Sequence, residues 1–406
     1  PMTYRPIPPP EIPLVADIPA RAFRFPAERY LEAYSGRGRV DHAALRVLEN
    51  AQGQAVAALN LFTRPVSLLG GEVEAGLVAS VAVPPEERRR GYAHRLMAGL
   101  LEELHGRQTP LSLLFPFAAG FYHALGYGMA SFTWHLELTP RLLPDYPERL
   151  HVRRPGPDDE AAVRACHEAA RRLPGNNGWP ARGDWEWRHQ VAKPEHEKAL
   201  FELNGQVEGY LVYTLTPNAG AMPARVVEWV WTSERAWRGL AGFLAALSDQ
   251  ATSVIYNAPQ GSPLLFSLPE PYSRAEGAAD FVFFPAGRLL SGFMLRVVHL
   301  PAALAARRYP AHVTAQFVLQ VEDAQLPANQ TPLLVRIANG AATATPSDAS
   351  PQVRAGMAAF SQLYAGALTA EQARTVGSLH GDDASCAALS AAFAAAPWSM
   401  HPADWF

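Results

Sequence analysis

The 406-residue sequence predicts an α/β protein, with two related α/β domains in tandem and an α+β domain after them. Three observations lead there. Strand-like segments give way near Gly91 to helical periodicity and then to a further strand. The same order recurs after residue 151, and from Phe293 the pattern changes to short strands mixed with alanine-rich helices. The expected domains are residues 1–150, 151–290 and 291–406.

In the first domain, residues 46–50 and 55–63 flank Ala51-Gln-Gly-Gln54, a hairpin turn. Leu69-Gly-Gly71 separates residues 66–68 from the run 73–83, so three antiparallel strands are expected. From Gly91 the period changes: Ala93, Leu96, Met97, Leu100, Leu101 and Leu104 mark one buried stripe of a helix that stops near Gly106. Residues 110–117 form a short apolar run suited to an interior strand, completing a β-α-β unit.

The second domain repeats this with losses. Arg154-Pro155 to Glu160 echoes Arg5-Pro6 to Glu11, and a helical stretch runs on to about Arg172. Residues 200–203 and 206–214 across Asn204-Gly205 copy the hairpin around Gly53. The counterpart of the strand-turn-helix at Gly91 falls at residues 226–240, where the basic glycine turn is missing; this copy is expected to bind no nucleotide. In the third domain, residues 317–321 and 333–338 read as strands, with Asn339-Gly340 turning the latter into 341–345. Residues 352–363, 370–379 and 386–395 read as helices.

Composition narrows the function classes. Apolar residues make up 49% and charged residues 18%, a globular profile. No apolar run approaches the roughly 20 residues that span a bilayer, and the first residues lack the basic and apolar regions of a secretion signal. Cys166 and Cys386 read as buried free thiols of a cytoplasmic protein, with no metal pattern. A net charge of −3 without a basic stripe argues against nucleic acid.

Two stretches carry chemistry. In residues 81–93, VAVPPEERRRGYA, a Val-Ala-Val strand is broken by Pro84-Pro85 and followed by arginines, a glycine and a helix start. First-turn N–H groups lack intrahelical partners, and with the helix dipole and arginines they suit a pyrophosphate. A solvated basic turn is the plainer reading of RRRGYA alone; the strand before it and the helix after it favour the binding site. Some thirty residues on lies Phe121-Tyr-His-Ala-Leu-Gly-Tyr127. An aromatic core helix explains an isolated Phe-Tyr pair, but a tyrosine here can also protonate a leaving thiolate, with ordinary values of ~10 and ~8.5.

In this order and spacing the two motifs, within residues 45–130, resemble the GCN5-related N-acetyltransferase (GNAT) superfamily. The resemblance implies that Val81, Ala82 and Val83 meet the pantetheine arm of acetyl-CoA, and that Arg88, Arg89, Arg90, Gly91, Tyr92 and Ala93 surround its phosphates. Tyr122 is then the general acid, and Tyr127 a packing residue. The wider layout, an active GNAT copy, a degenerate copy and a sterol-carrier-like α+β domain, resembles the "enhanced intracellular survival" (Eis) type. That resemblance implies homohexamers and a C-terminal carboxylate, here on Phe406, acting as base in the first domain's site. The tail from Trp398, with two tryptophans and a final Phe, reads as anchored.

The function expected from the resemblance is transfer of acetyl from acetyl-CoA, as co-substrate, to a primary amine in a ternary complex, with no metal. The amine expected is a small molecule, an aminoglycoside-like one being among the candidates. Two departures count against such polycations: Phe117 stands where a small polar residue is usual, and Trp405, not an acid, precedes Phe406. Glu28, Glu32 and Asp41 can supply negative charge near the acceptor pocket, the plainer reading of isolated acids being solvated surface. The alternatives are a protein lysine or N-terminal acetyltransferase, and a lipid-binding scaffold.

Overall fold

A computed structural model describes residues 2–34, 44–272 and 282–406. The first sheet has the order Thr3–Pro6, Leu45–Glu49, Ala55–Leu68, Gly71–Ala82, Leu111–Leu114, Met294–Val297, Gly128–Met129. The second runs Arg288–Ser291, Phe132–Leu138, Ser253–Pro259, Pro223–Trp231, Gln206–Leu215, Glu197–Leu203, Val152–Arg153. The third, in the C-terminal domain, runs Ala341–Pro346, Leu333–Ala338, Ala315–Glu322, Val353–Gly356, Leu379–His380. Among the described residues no helix is long and apolar enough to cross a membrane.

The β-α-β unit forms around the expected helix. Gly71–Ala82 and Leu111–Leu114 pair in parallel, Ala75 opposite Leu111, and helix Tyr92–Gly106 connects them. Its predicted stripe is buried from Leu96 on, with Leu96, Met97, Leu100, Leu101 and Leu104 all at 0% exposure, while Ala93 is half-buried. The second half repeats the plan with Pro223–Trp231, helix Glu234–Ala246 and Ser253–Pro259.

The three expected antiparallel strands form, the middle one running from residue 55 to 68 through Pro65, and two other local expectations change. Leu45–Glu49 pairs only with residues 55–60; beyond it the Pro65 carbonyl accepts from Ala181 N–H at 2.8 Å, so the donor that Pro65 lacks interrupts only a short bridge to residues 178–181 and not a continuous strand pairing. The strand expected over 110–117 is trimmed to Leu111–Leu114. Residues expected to begin a helix at 352 instead form strand Val353–Gly356, parallel to Ala315–Glu322, and the helix starts at Met357. Its alternating burial shows why: Val353 and Ala355 point into the core.

The two α/β sheets also exchange a strand. Phe132–Leu138 lies antiparallel between Ser253–Pro259 and Arg288–Ser291 in the second sheet. Met294–Val297 occupies the matching place in the first, between Leu111–Leu114 and Gly128–Met129. Neither sheet is completed by its own stretch of chain, so the expected divisions after residues 150 and 290 are crossed by backbone ladders. The tail joins the halves again. Trp398 is fully buried and bridges Ser131 and Asn177, and Ser399 N–H donates to the Asn177 carbonyl at 2.9 Å.

Candidate active site

The strand Gly71–Ala82 is irregular where the site forms. Its pairing with Leu111–Leu114 stops at Val78 opposite Leu114, so from Ala79 onward that side of the backbone has no strand partner. On the other side Asn60 faces Ala79 but Ala58 faces Ala82, which leaves an extra residue bulged out. Ser80 takes the strain, with φ at 53°. Val81 and Val83 then line a groove of about 1220 Å³ together with Arg88, Arg89, Gly91, Tyr92 and Ala93.

Of the nine residues expected around the cofactor, the structure places seven on this groove. Ala82 is turned away by strand alternation and packs with Ile7 and Ile12. Arg90 is held off by Glu87, at 2.9 Å. Arg89 and Gly91 both adopt left-handed conformations, φ 63° and 78°. Such a turn folds successive N–H groups into a concave nest for anions. Gly91 caps helix Tyr92–Gly106 without any side-chain bond, leaving the first-turn N–H groups open. Among the described residues the Arg89 side chain makes no ion pair or hydrogen bond, while Arg88 donates to the carbonyls of Val83 at 3.3 Å and Ala22 at 3.5 Å. These residues fit a pyrophosphate. In the second half the same helix end is occupied by its own chain: Ser233 accepts from Ala236 N–H at 3.2 Å, and Arg235 is tied to Glu208 at 2.7 Å.

Tyr122, on helix Ala119–His123, is 2% exposed among Phe117, Phe121 and Tyr127. The two tyrosines differ in their hydroxyls. Tyr127 shares a 2.7 Å hydrogen bond with Ser112, whereas among the described residues the Tyr122 hydroxyl has no hydrogen-bond partner. Burial pushes Tyr127 up to about 12 and Tyr122 upward as well, helped by its neighbour Tyr127. Both stay protonated at neutral pH, and Tyr122 is the one with its proton uncommitted. Phe117, 74% exposed, lines the groove and stands edge-on to the Tyr122 ring at 5.7 Å.

A second hollow of about 1250 Å³ lies across the bulge, lined by Ala79 and Ser80, by Phe62, by Trp185 of the second half, and by Phe406. The irregular strand therefore presents residues 79 and 80 to one hollow and residues 81 and 83 to the other. Phe406 packs 5.5 Å from Phe115. The tail is fixed by ion pairs that periodicity could not reveal. Arg182 Nε donates to Asp404 at 2.7 Å, the same guanidinium bonds Glu228, and Tyr210 donates to Glu228 at 2.9 Å. All three charged side chains are at or below 1% exposure. Glu28 and Glu32 are exposed and do not line this hollow, as the solvated-surface reading expects, and Asp41 lies outside the described residues.

Comparison with known proteins agrees with this architecture. Residues 3–130 and 178–297 each match an acetyltransferase (GNAT) domain family, and residues 300–400 a sterol carrier protein domain family. The chain is 28% identical over 348 residues to an N-acetyltransferase of Streptomyces griseus, covering 77% of this chain and 78% of that one. It is 27% identical over 350 residues to N-acetyltransferase Eis of Mycobacterium tuberculosis, covering 78% and 77%. Among solved structures, a GCN5-related N-acetyltransferase from Anabaena variabilis shares the fold over 100% of both chains, with a TM-score of 0.86 at 21% identity. Eis1 from Mycobacterium abscessus does so with a TM-score of 0.80 at 21% identity.

Proposed function

Because the chain belongs to the GNAT N-acetyltransferases of the Eis type, we propose that it moves acetyl from acetyl-CoA to a small primary amine, both held in one ternary complex. The observation that carries this reading is the bulge at Ser80, where one strand serves both hollows. A donor in the groove and an amine in the cavity would meet over residues 79–83, and holding two reactants so close supplies much of the acceleration.

Each residue then has a task. Arg88, Arg89 and the N–H nest at Gly91 hold the pyrophosphate; the side chains of Val81 and Val83 and the unpaired backbone around Ala82 hold the pantetheine arm. A backbone N–H freed by the splay faces the developing oxyanion. The Phe406 carboxylate, directly or through water, takes the proton that an alkyl amine carries at neutral pH. Tyr122 gives its proton to the departing thiolate. Burial makes Tyr122 a weaker acid than usual, and the same dry surroundings make a thiolate a stronger base, so the transfer stays matched.

The second half, with its helix end self-capped, takes no nucleotide, which sets one acetyl-CoA per chain. A cytoplasmic homohexamer is the assembly we infer from the resemblance. The test is CoA release from acetyl-CoA with a panel of amines, run on the native chain and on one extended by several residues beyond Phe406. Release by the native chain that falls sharply in the extended one supports the scheme. Equal rates would remove the Phe406 carboxylate from it.

A further inference from the structure

The hollow beside the bulge sets limits on the amine it would take. Its walls are largely aromatic: Phe25, Tyr30, Phe62, Trp185, Trp405 and Phe406 all line it. Arg29, Arg64 and Arg182 share the lining with the side-chain carboxylates of Glu186 and Asp404 and with the terminal carboxylate of Phe406. Behind Arg182 stands a further carboxylate, Glu228, which shares that guanidinium with Asp404. Among the described residues carboxylates therefore outnumber arginines here by one, and a single added ammonium balances the site.

Most of those carboxylates are already taken. Glu186 lies 2.5 Å from Arg64 and accepts from Gly183 N–H at 2.7 Å. The Asp404 and Glu228 side chains are at 0% exposure against Arg182, so neither offers an open face to a ligand. The Phe406 terminal carboxylate has no ion pair among the described residues. One ammonium can be met there, but a second would meet no free carboxylate and would lose its water uncompensated. A carboxylate on the ligand would restore the excess of negative charge. A ring on the ligand would find rings to pack against.

We propose that the acceptor is an arylalkyl monoamine: one primary amine on an aromatic body, with no second charge. This rests on the acetyl-transfer reading above. The experiment compares kcat/KM for four amines, with acetyl-CoA binding measured separately by calorimetry. Phenethylamine has the proposed form, and butylamine carries the same charge without a ring. Spermidine is a polycation, and 4-(2-aminoethyl)benzoate adds a carboxylate to the phenethylamine body. Phenethylamine should be the best of the four, ahead of butylamine by about tenfold, the size of one ring-on-ring contact. Trp185→Ala removes part of the aromatic wall and should shrink that ratio. Arg64→Met frees the Glu186 carboxylate and should raise spermidine relative to phenethylamine about tenfold. Both residues are only partly buried, and thermal melts check that each variant folds.

Butylamine, spermidine or the benzoate matching phenethylamine, or ratios that stay put in folded Trp185→Ala and Arg64→Met variants, would each overturn the proposal and leave acetyl transfer standing. Acetyl-CoA binding without turnover of any of the four would overturn the acceptor assignment alone. Absence of acetyl-CoA binding would remove the acetyl-transfer reading, and the proposal with it.

Discussion

Arg182 and Asp404, 222 positions apart in the chain, meet in a buried ion pair with 2.7 Å between Nε and the carboxylate. The pair ties the last turn of the tail to the second α/β half, and Phe406 follows two residues later. Asp404→Ala leaves the fully buried Arg182 with Glu228 alone. Loss of one partner of a buried pair costs about 3 kcal/mol, so urea denaturation should show a drop of that order. Turnover should fall further than stability alone explains, because the tail is no longer held against the cavity. Acetyl-CoA affinity, set in a separate groove, should stay within twofold of the original.

Tyr122→Phe removes one hydroxyl that has no hydrogen-bond partner among the described residues, so the fold should be unaffected in a thermal melt. If the phenol supplies the leaving-group proton, kcat should fall about 100-fold, within the usual contribution of a general acid. Tyr127→Phe is the matched control. It breaks the bond to buried Ser112 and should cost about 1 kcal/mol of stability with little change in kcat. A reversal of these two patterns would reassign the acid.

Gly91 has φ at 78°, and a Cβ added there meets nothing within 4 Å. Gly91→Ala therefore introduces no clash, only the intrinsic cost of a side chain in the left-handed region, about 1–2 kcal/mol. That strain falls on the phosphate turn. Acetyl-CoA should bind several-fold more weakly by calorimetry, while kcat at saturation stays near its original value.

Acid should destabilise the protein from below the ordinary histidine value of 6.5. Burial lowers His167 and His401, the latter edge-on to Trp179 at 4.4 Å. A histidine whose pKa is lower folded than unfolded binds its proton first in the unfolded chain. Its contribution to stability is thus complete above pH 6.5 and declines as pH falls toward the folded value. Each such group gives a slope of up to about 1.4 kcal/mol per pH unit in that window. Urea midpoints at pH 7.5 and 5.5 measure the decline. His401→Gln should flatten it, since the glutamine does not titrate.

The groove proposed to take the cofactor was largely legible from one dimension. The apolar stripe from Leu96 to Leu104, the basic turn ending at Gly91 and the Phe121-Tyr122 pair lie within about forty residues, and strand and helix periodicity report on neighbours at that range. Even there the side chains of Ala82 and Arg90 turn elsewhere, because strand alternation and the local Glu87 pair decide direction after the motif is set. Ser80 gave no signal, since a bulge at a non-glycine residue is imposed by the mismatch between the strands on either side.

What the linear chain determined by itself was the class of each domain and the place of the basic glycine turn proposed to hold the phosphates, both products of local spacing and backbone freedom. Tertiary structure alone decided the exchanged strands Phe132–Leu138 and Met294–Val297 and the Arg182 anchor of the tail, shared between Asp404 and Glu228. Those depend on which distant segments share a surface, and burial energy selects that pairing over the whole fold without leaving a pattern in any one stretch.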